Sequence, residues 1–173
     1  MGERTLAEHD QYRAWVEPLL ERAAAYALSI VGNREDAEDA VQEAAVKAYR
    51  SLDRYDRSQS FRGWWFAIVR NCCLDLMRKR RARPETATVD LADTALSGSD
   101  EWEVVARRND LRSALSQLSP VHRLMIELRY FGDCSYADIA TALGIPVGTV
   151  MSRLHAAREA LAKTYRRETN EAG

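Results

Sequence analysis

The chain has 173 residues, which is long enough for one ordinary domain or two small ones. Its 46% of hydrophobic and 29% of charged residues are typical of a globular protein, and its net charge of −1 excludes a uniformly basic nucleic-acid binder. The apolar run at residues 64–69 is too short to cross a bilayer, and the first residues lack the apolar core of a signal peptide. We therefore expect a cytoplasmic protein that makes no membrane contact except through a partner.

Helical periodicity dominates the first part of the chain. A first helix is predicted over about residues 8–30, with one apolar stripe that includes Trp15 and Val16. A second is predicted over about residues 34–52 with Asn33 as its cap. Gly32 between them suits the left-handed turn that ends many helices. Residues 53–60 are polar and predict a loop.

A third helix is predicted to begin near Phe61 and to end in the basic run at residues 78–81, before Pro84. Helical spacing predicts that it buries one apolar stripe. The members of that stripe are Phe61, Trp64, Trp65, Ile68, Val69, Cys72 and Leu76.

Residues 84–101 show weak helical periodicity, and we expect them to form a flexible acidic linker. Four helices are predicted after it. Ser119 and Ser135 supply caps for two of them, Gly144 supplies a turn, and Pro146 opens the last.

No segment shows a strand pattern, so the expected fold class is all-α. Two small helical domains are predicted, at residues 1–83 and 102–173. The charges differ between these parts: residues 62–83 hold seven bases and one acid, residues 84–103 six acids and no base, and residues 147–167 five bases and one acid. Two basic segments separated by an acidic one indicate two DNA-facing surfaces joined by a different kind of segment.

Residues 135–158 have the pattern of a helix-turn-helix unit. Ala140 is small where two helices would cross, and Gly144 suits the turn between them. The second helix of such a unit fits the major groove and touches base edges. A plain amphipathic hairpin is the alternative interpretation. The residues predicted to face outward are Thr149, Met151, Ser152, Arg153, His155 and Arg158.

The third helix and the loop before it interleave aromatic and basic side chains, an arrangement that holds unpaired bases and their backbone. The aromatic members are Tyr55, Phe61, Trp64, Trp65 and Phe66, and the basic members are Arg62, Arg70, Arg78, Lys79 and Arg80. The polar loop, which includes Asp56 and Ser58, can form a pocket for a flipped base, with Asn71 as a lining residue. Alternatively, the aromatics are core residues and the basic tail is a solvated helix end.

Asp39, Gln42 and Glu43 are spaced so that they share one face of the second helix. An acidic face repels DNA and suits a basic or polar partner protein. The alternative is an ordinary solvated first turn.

The three cysteines, Cys72, Cys73 and Cys134, show neither a disulfide framework nor metal-ligand spacing with histidines. We interpret them as core or surface residues and expect no catalytic residue, metal or cofactor. A redox-sensing role is one alternative. A thiol redox enzyme is another, but no base, metal set or phosphate loop accompanies these thiols.

Together, these segments resemble the extracytoplasmic-function (ECF) group of bacterial sigma factors. Residues 36–43, Asp-Ala-Glu-Asp-Ala-Val-Gln-Glu, resemble the family's region two, and residues 61–64, Phe-Arg-Gly-Trp, resemble the start of its promoter-melting helix. Residues 118–123 and 148–153 resemble its region four. The order and spacing of these motifs are more specific for the family than any one motif is.

The resemblance implies a transcription initiation factor, not an enzyme, with two DNA-reading domains. Its implied partners are promoter DNA, RNA polymerase core and an anti-sigma factor that holds it inactive. Core contacts with the β′ clamp helices and the β subunit are implied, with Asp39, Gln42 and Glu43 on the clamp-binding face. The residues implied to read the −10 element are Tyr55, Asp56, Ser58, Phe61, Arg62, Asn71, Arg78 and Lys79. The outward residues of the helix-turn-helix unit are implied to read the −35 element.

Two positions depart from the family pattern. Met151 and Ala156 stand where relatives often carry basic groups, so we expect fewer hydrogen bonds to bases and a larger contribution from DNA shape. An ordinary helix-turn-helix regulator that never touches polymerase is a further alternative. It would need a ligand or receiver domain, for which the aromatic helix and the acidic face are poor candidates.

Overall fold

The structure is a computed structural model that describes residues 6–82 and 110–171. All regular structure in these two ranges is helical, without a strand, which confirms the all-α fold class. The predicted linker at residues 84–101 and the predicted helix start near residue 102 lie outside the described ranges. No described helix combines the length and the apolar character that a membrane span requires.

Over residues 6–82, the first domain contains four α-helices and two short 3₁₀ turns. They are α1 (Leu6–Val16), a 3₁₀ turn (Glu17–Leu19), α2 (Leu20–Val31), α3 (Arg34–Arg50), a second 3₁₀ turn (Leu52–Arg54) and α4 (Phe61–Arg81). In the second domain, residues 110–116 form α5. It is followed by α6 (Pro120–Ile126), a π-helical turn (Glu127–Phe131), α7 (Tyr136–Leu143) and α8 (Val147–Glu171).

The prediction of one continuous helix over residues 8–30 is wrong at its middle. The 3₁₀ turn that separates α1 from α2 contains Pro18, which has no amide hydrogen and whose ring clashes with the preceding helical turn. The apolar stripe continues across the break, because Val16, Leu19 and Ala23 are all buried.

The predicted caps are confirmed by hydrogen bonds. The side chains of Asn33, Ser119 and Ser135 each accept a hydrogen bond from the amide three residues later, and Ser135 belongs to a complete capping box. Gly32 and Gly144 end their helices with φ of 85° and 63°, values that favour glycine. Helix boundaries in both domains therefore follow local sequence signals.

Helix α4 is buried on more than the one predicted stripe. Trp65, Val69 and Cys72 are fully buried as predicted, but Phe66 and Cys73 are fully buried too. Four other predicted stripe members, Phe61, Trp64, Ile68 and Leu76, are only half-buried. The reason is that α4 packs against α2 and α3 on one side and against α7 of the second domain on another.

The two domains share one hydrophobic core, which the sequence did not predict. The rings of Tyr26 in α2 and Phe66 in α4 meet edge to face at 5.3 Å beside the π-helical turn. Arg123 in α6 pairs with the buried Glu127 carboxylate at 2.9 Å and donates a hydrogen bond to the Ser29 carbonyl of the first domain at 3.2 Å. Apolar packing and polar contacts therefore both join the domains.

Candidate nucleic-acid interface

The acidic surface of α3 faces away from the hydrophobic core of the protein. Asp39 and Gln42 are exposed, and Glu43 is half-exposed with its carboxylate 2.9 Å from the Lys47 ammonium. The opposite face of α3 carries the small buried residues Ala37, Ala40, Val41, Ala44 and Ala48, which allow α2 and α4 to approach closely. The structure therefore leaves the three residues that are predicted to bind RNA polymerase core on an accessible face.

The loop before α4 is organised by its own hydrogen bonds. The Asp56 carboxylate accepts hydrogen bonds from the Ser58 amide at 2.9 Å and the Gln59 side chain at 3.3 Å, and the Tyr55 hydroxyl donates to the Gln59 carbonyl at 2.6 Å. Hydrogen bonds from Ser58 hold the pKa of the Asp56 carboxyl below its usual value. The folded loop therefore favours the ionised form of this carboxyl group.

Four aromatic rings cluster where this loop meets α1 and α4. Trp15 and Phe61 lie 5.0 Å apart between ring centroids, as do Tyr55 and Trp64. All four rings are half-buried, and the Arg57 guanidinium lies 6.0 Å from the centroid of the Trp15 ring. Sequence reasoning placed Trp15 only in an apolar stripe and did not select Arg57. Trp15 is distant from α4 in sequence, so spacing could not reveal its contact with Phe61, whereas Arg57 lies within the predicted loop itself.

Asn71 is exposed and lies ten residues beyond the first residue of α4, which corresponds to about 15 Å along the helix axis. Arg78 shares its side of the helix and pairs with the Asp75 carboxylate at 2.8 Å, while Lys79 is exposed. The predicted −10 residues thus form two groups, one at the loop and one farther along α4. Arg62 belongs to neither group, because its side chain is turned toward the second domain.

The helix-turn-helix prediction agrees with the packing of α7 and α8. Ile139, Val150, Leu154 and Ala157 are fully buried between or behind the two helices. The predicted outward residues Met151, Ser152, Arg153 and His155 are exposed, as is Arg158, and Thr149 is half-buried.

Arg158 is held in place by two aromatic residues of its own domain. Its guanidinium donates hydrogen bonds to the hydroxyls of Tyr130 and Tyr136, each at 3.1 Å. The Tyr136 and Tyr130 hydrogen bonds raise the pKa of Arg158, so this side chain is a fixed positive charge on α8.

Comparison with known proteins decides the family. A sigma-70 region 2 family model matches residues 15–83, and a sigma-70 region 4 model matches residues 108–161. The ECF RNA polymerase sigma factor SigL of Mycobacterium tuberculosis is 39% identical over 141 residues, which cover 80% of each chain. The ECF sigma factor SigW of Bacillus subtilis is 33% identical over 148 residues, covering 79% of each chain. The chain belongs to the ECF group of RNA polymerase sigma factors.

Two solved structures resemble this sigma factor across both domains. The sigma factor RpoE of Bartonella quintana, in complex with the anti-sigma factor NepR, superposes with a TM-score of 0.67 and 28% identity, covering 91% of this chain and 98% of that one. CnrH in complex with the cytosolic domain of CnrY superposes with a TM-score of 0.59 and 28% identity, covering 89% and 84%. Sigma factors are transcription initiation factors that bind RNA polymerase, so the surfaces above belong to a protein of that class.

The thiols of this sigma factor are core residues. Cys72, Cys73 and Cys134 are all fully buried, and none forms a disulfide. Burial raises the pKa of Cys73 and of Cys134 to about 12 and also raises the pKa of Cys72. Within residues 6–82 and 110–171, no group of three or more His, Cys, Asp and Glu side chains is placed to hold a metal ion.

We predict that the native thiols react far more slowly with Ellman's reagent than those of the unfolded chain, because the thiolate is the reactive form and burial suppresses it. Absorbance at mildly alkaline pH, with and without guanidinium chloride, measures both rates. Val46→Cys places a thiol at an exposed site as a positive control. Immediate reaction of a native cysteine in the folded wild-type chain would contradict the assignment of these thiols to the hydrophobic core.

Proposed function

We propose that this sigma factor recruits RNA polymerase core to promoters, reads the −10 element with its first domain, and reads the −35 element with its second. One observation supports the proposal: the same chain has an exposed acidic face, an aromatic–basic helix with a structured loop, and an exposed helix-turn-helix surface. The chain supplies recognition and strand opening, and polymerase supplies the bond chemistry.

Core binding is assigned to the exposed face of α3. Asp39, Gln42 and Glu43 offer carboxylate and amide groups to the β′ clamp helices, and the β subunit is a further contact of the bound sigma factor. Charged groups at such a rim steer association and fix its register. Because this face is acidic, it is unsuited to DNA and leaves nucleic-acid binding to other surfaces.

The −10 element is assigned to the loop at Tyr55–Ser60 and to α4. Asp56 and Ser58 shape the loop, and Tyr55 and Phe61 offer aromatic faces. Arg62 offers a cation at the helix start once its hydrogen bonds to the second domain are released. Flipping a base costs a few kcal/mol, and stacking on an aromatic ring returns about 1–3 kcal/mol. An opened strand that follows α4 from the loop then meets Asn71, and Arg78 and Lys79 meet its backbone.

The −35 element is assigned to the exposed side of α8. Thr149, Met151, Ser152 and His155 lie in its first turns, where a recognition helix meets base edges. Arg153 and Arg158 suit phosphate oxygens, which position the helix without reading sequence. Because Met151 lies at the centre of this surface, apolar contact and DNA shape contribute more to recognition of the −35 element than bidentate hydrogen bonds to bases do.

An anti-sigma factor is the proposed inhibitory partner. Both solved neighbours above are sigma factors in complex with anti-sigma factors, and each superposition extends over most of this chain. We expect such a partner to act in the cytoplasm on this sigma factor before core polymerase binds.

The decisive experiment mixes the purified chain with RNA polymerase core and a library of random promoter templates. We expect co-migration with core and transcripts from a limited set of templates that share two sequence boxes. Failure to co-migrate at low salt, with no inhibitor present, would overturn the proposal. Tight, specific duplex binding by the isolated chain without core binding would instead favour an ordinary helix-turn-helix regulator.

Replacement of Gln42 and Glu43 by Ala should weaken core binding about tenfold, because two polar contacts worth about 1.4 kcal/mol together are removed. Fluorescence anisotropy with labelled sigma factor measures the Kd. Glu21→Ala is the control, since Glu21 is an exposed acid that lies on α2, outside the proposed core-binding face. Equal affinity of the double variant and the control would remove this face from the core interface.

Asn71→Ala should leave core binding unchanged and reduce strand opening about tenfold, because a hydrogen-bonding group for an unpaired base is lost. The fluorescence of 2-aminopurine in the −10 element measures opening. A premelted template should restore initiation if opening is the step affected. Normal opening by this variant on duplex templates would exclude Asn71 from the proposed pocket.

A further inference from the structure

A groove of about 490 Å³ lies between the two domains. One wall is the C-terminal half of α2, and the other is formed by α5, α6 and the π-helical turn. Small-molecule sites in proteins have volumes of about 300–1,000 Å³ and are common at domain interfaces, so this groove has the size and the position of such a site. Its apolar lining residues are Ala25, Leu28, Ile30, Leu111, Leu115 and Phe131.

Two leucines that line the groove remain partly exposed. Leu28 on α2 is 42% exposed and Leu111 on α5 is 39% exposed, although both side chains are large and apolar. They come from different domains and line the same groove. An apolar ligand in the groove would remove both from water, which is favourable in proportion to the apolar area that it covers.

Most polar groups of the lining already have partners within the protein. Arg123 pairs with the Glu127 carboxylate at 2.9 Å and donates a hydrogen bond to the Ser29 carbonyl at 3.2 Å. The Ser29 hydroxyl donates to the Tyr26 carbonyl at 2.7 Å. The two charges of the Arg123–Glu127 pair balance each other, so these groups require no polar atom from a ligand.

Arg112 on α5 is the remaining charged residue of the lining. It is exposed, and its guanidinium has neither an acidic nor a hydrogen-bonding partner in the part of the chain that the structure describes. Because Arg123 and Glu127 cancel, the lining has one unbalanced positive charge. A guanidinium can bind a carboxylate through two parallel hydrogen bonds. The chemical complement of the groove is therefore an apolar body with an anionic end.

We propose that this groove binds a small amphiphilic carboxylate, whose apolar chain covers Leu28 and Leu111 and whose carboxylate pairs with Arg112. None of the residues proposed to bind core polymerase or promoter DNA lines the groove, so the site is independent of the proposed function. A ligand in the groove contacts both domains. Its binding free energy therefore stabilises the folded protein.

Isothermal titration calorimetry of the full-length chain at neutral pH tests the site with three probes below their micelle concentrations. Decanoate, 1-decanol and decyltrimethylammonium have the same apolar chain and differ in the charge of the head group. We expect one decanoate per chain, bound about tenfold more tightly than decanol, because only decanoate pairs with the guanidinium. Decyltrimethylammonium should bind most weakly. Decanoate should also raise the Tm, since it binds the folded state.

Arg112→Gln should weaken decanoate binding about tenfold and leave decanol binding unchanged, because the substitution removes the charge and keeps the apolar lining. Arg112→Lys keeps the positive charge and should retain most of the affinity for decanoate. Arg22→Gln is the matched control, since Arg22 is an exposed cation on α2 that does not line the groove. It should bind both probes as the wild type does.

Leu28→Gln should weaken decanoate and decanol binding equally, about fivefold, because it removes apolar surface that both chains cover. Leu20→Gln is its matched control, since Leu20 is 39% exposed on the same helix and lies outside the groove. All of these substitutions are at exposed positions, and circular dichroism checks that each variant is folded.

Three results would overturn the inference. Absence of decanoate binding would show that the groove is closed to a small ligand, whether other residues of the chain or a partner protein occupy it. Equal affinities for the three probes would remove the role of charge, and wild-type affinities in Arg112→Gln and Leu28→Gln would place binding elsewhere. These measurements need neither polymerase nor DNA, so a failure here is distinct from a failure of the library experiment, which tests the proposed function.

Discussion

The burial of α4 on two sides constrains the rest of the structure. Trp65 and Phe66 are neighbours in sequence and point about 100° apart around the helix, yet both are fully buried. Around α4, helices α2 and α3 lie on one side and α7 on another. Each buried aromatic side chain contributes about 1.5–3 kcal/mol, which makes α4 the central element of both domains.

This packing determines which charged groups remain available to partners. Arg80 pairs with Asp36, whose carboxylate is buried at the start of α3, so one cation of the basic run holds α3 and α4 together. Burial raises the pKa of Glu127 despite its pairing with Arg123. Such charges are structural, because a buried ion without a partner is costly. The exposed strip of α4 and the outer side of α8 are the surfaces that we propose to meet DNA.

One helix therefore serves two competing purposes. Its buried residues join the domains, and its exposed residues are proposed to open a promoter. At the first turn the two purposes meet, since Arg62 is bonded to the second domain and is also part of the proposed −10 surface.

Local sequence signals were sufficient to predict the helix caps, the turns at Gly32 and Gly144, and the helix-turn-helix unit. These features depend on residues within a few positions of one another, so spacing alone reveals them. The family motifs likewise predicted two helical domains. The break at Pro18 was also local, but a continuous apolar stripe concealed it.

The tertiary structure alone decided how the domains meet. Ser60 and Asp138 are 78 residues apart in sequence, and no periodicity connects them. The same holds for Trp15 and Phe61, whose contact completes the aromatic cluster. Such pairs form because helices that are distant in sequence bury a shared apolar surface. Side-chain spacing within one helix predicts which of its faces is buried, but it does not predict which other helix packs against that face.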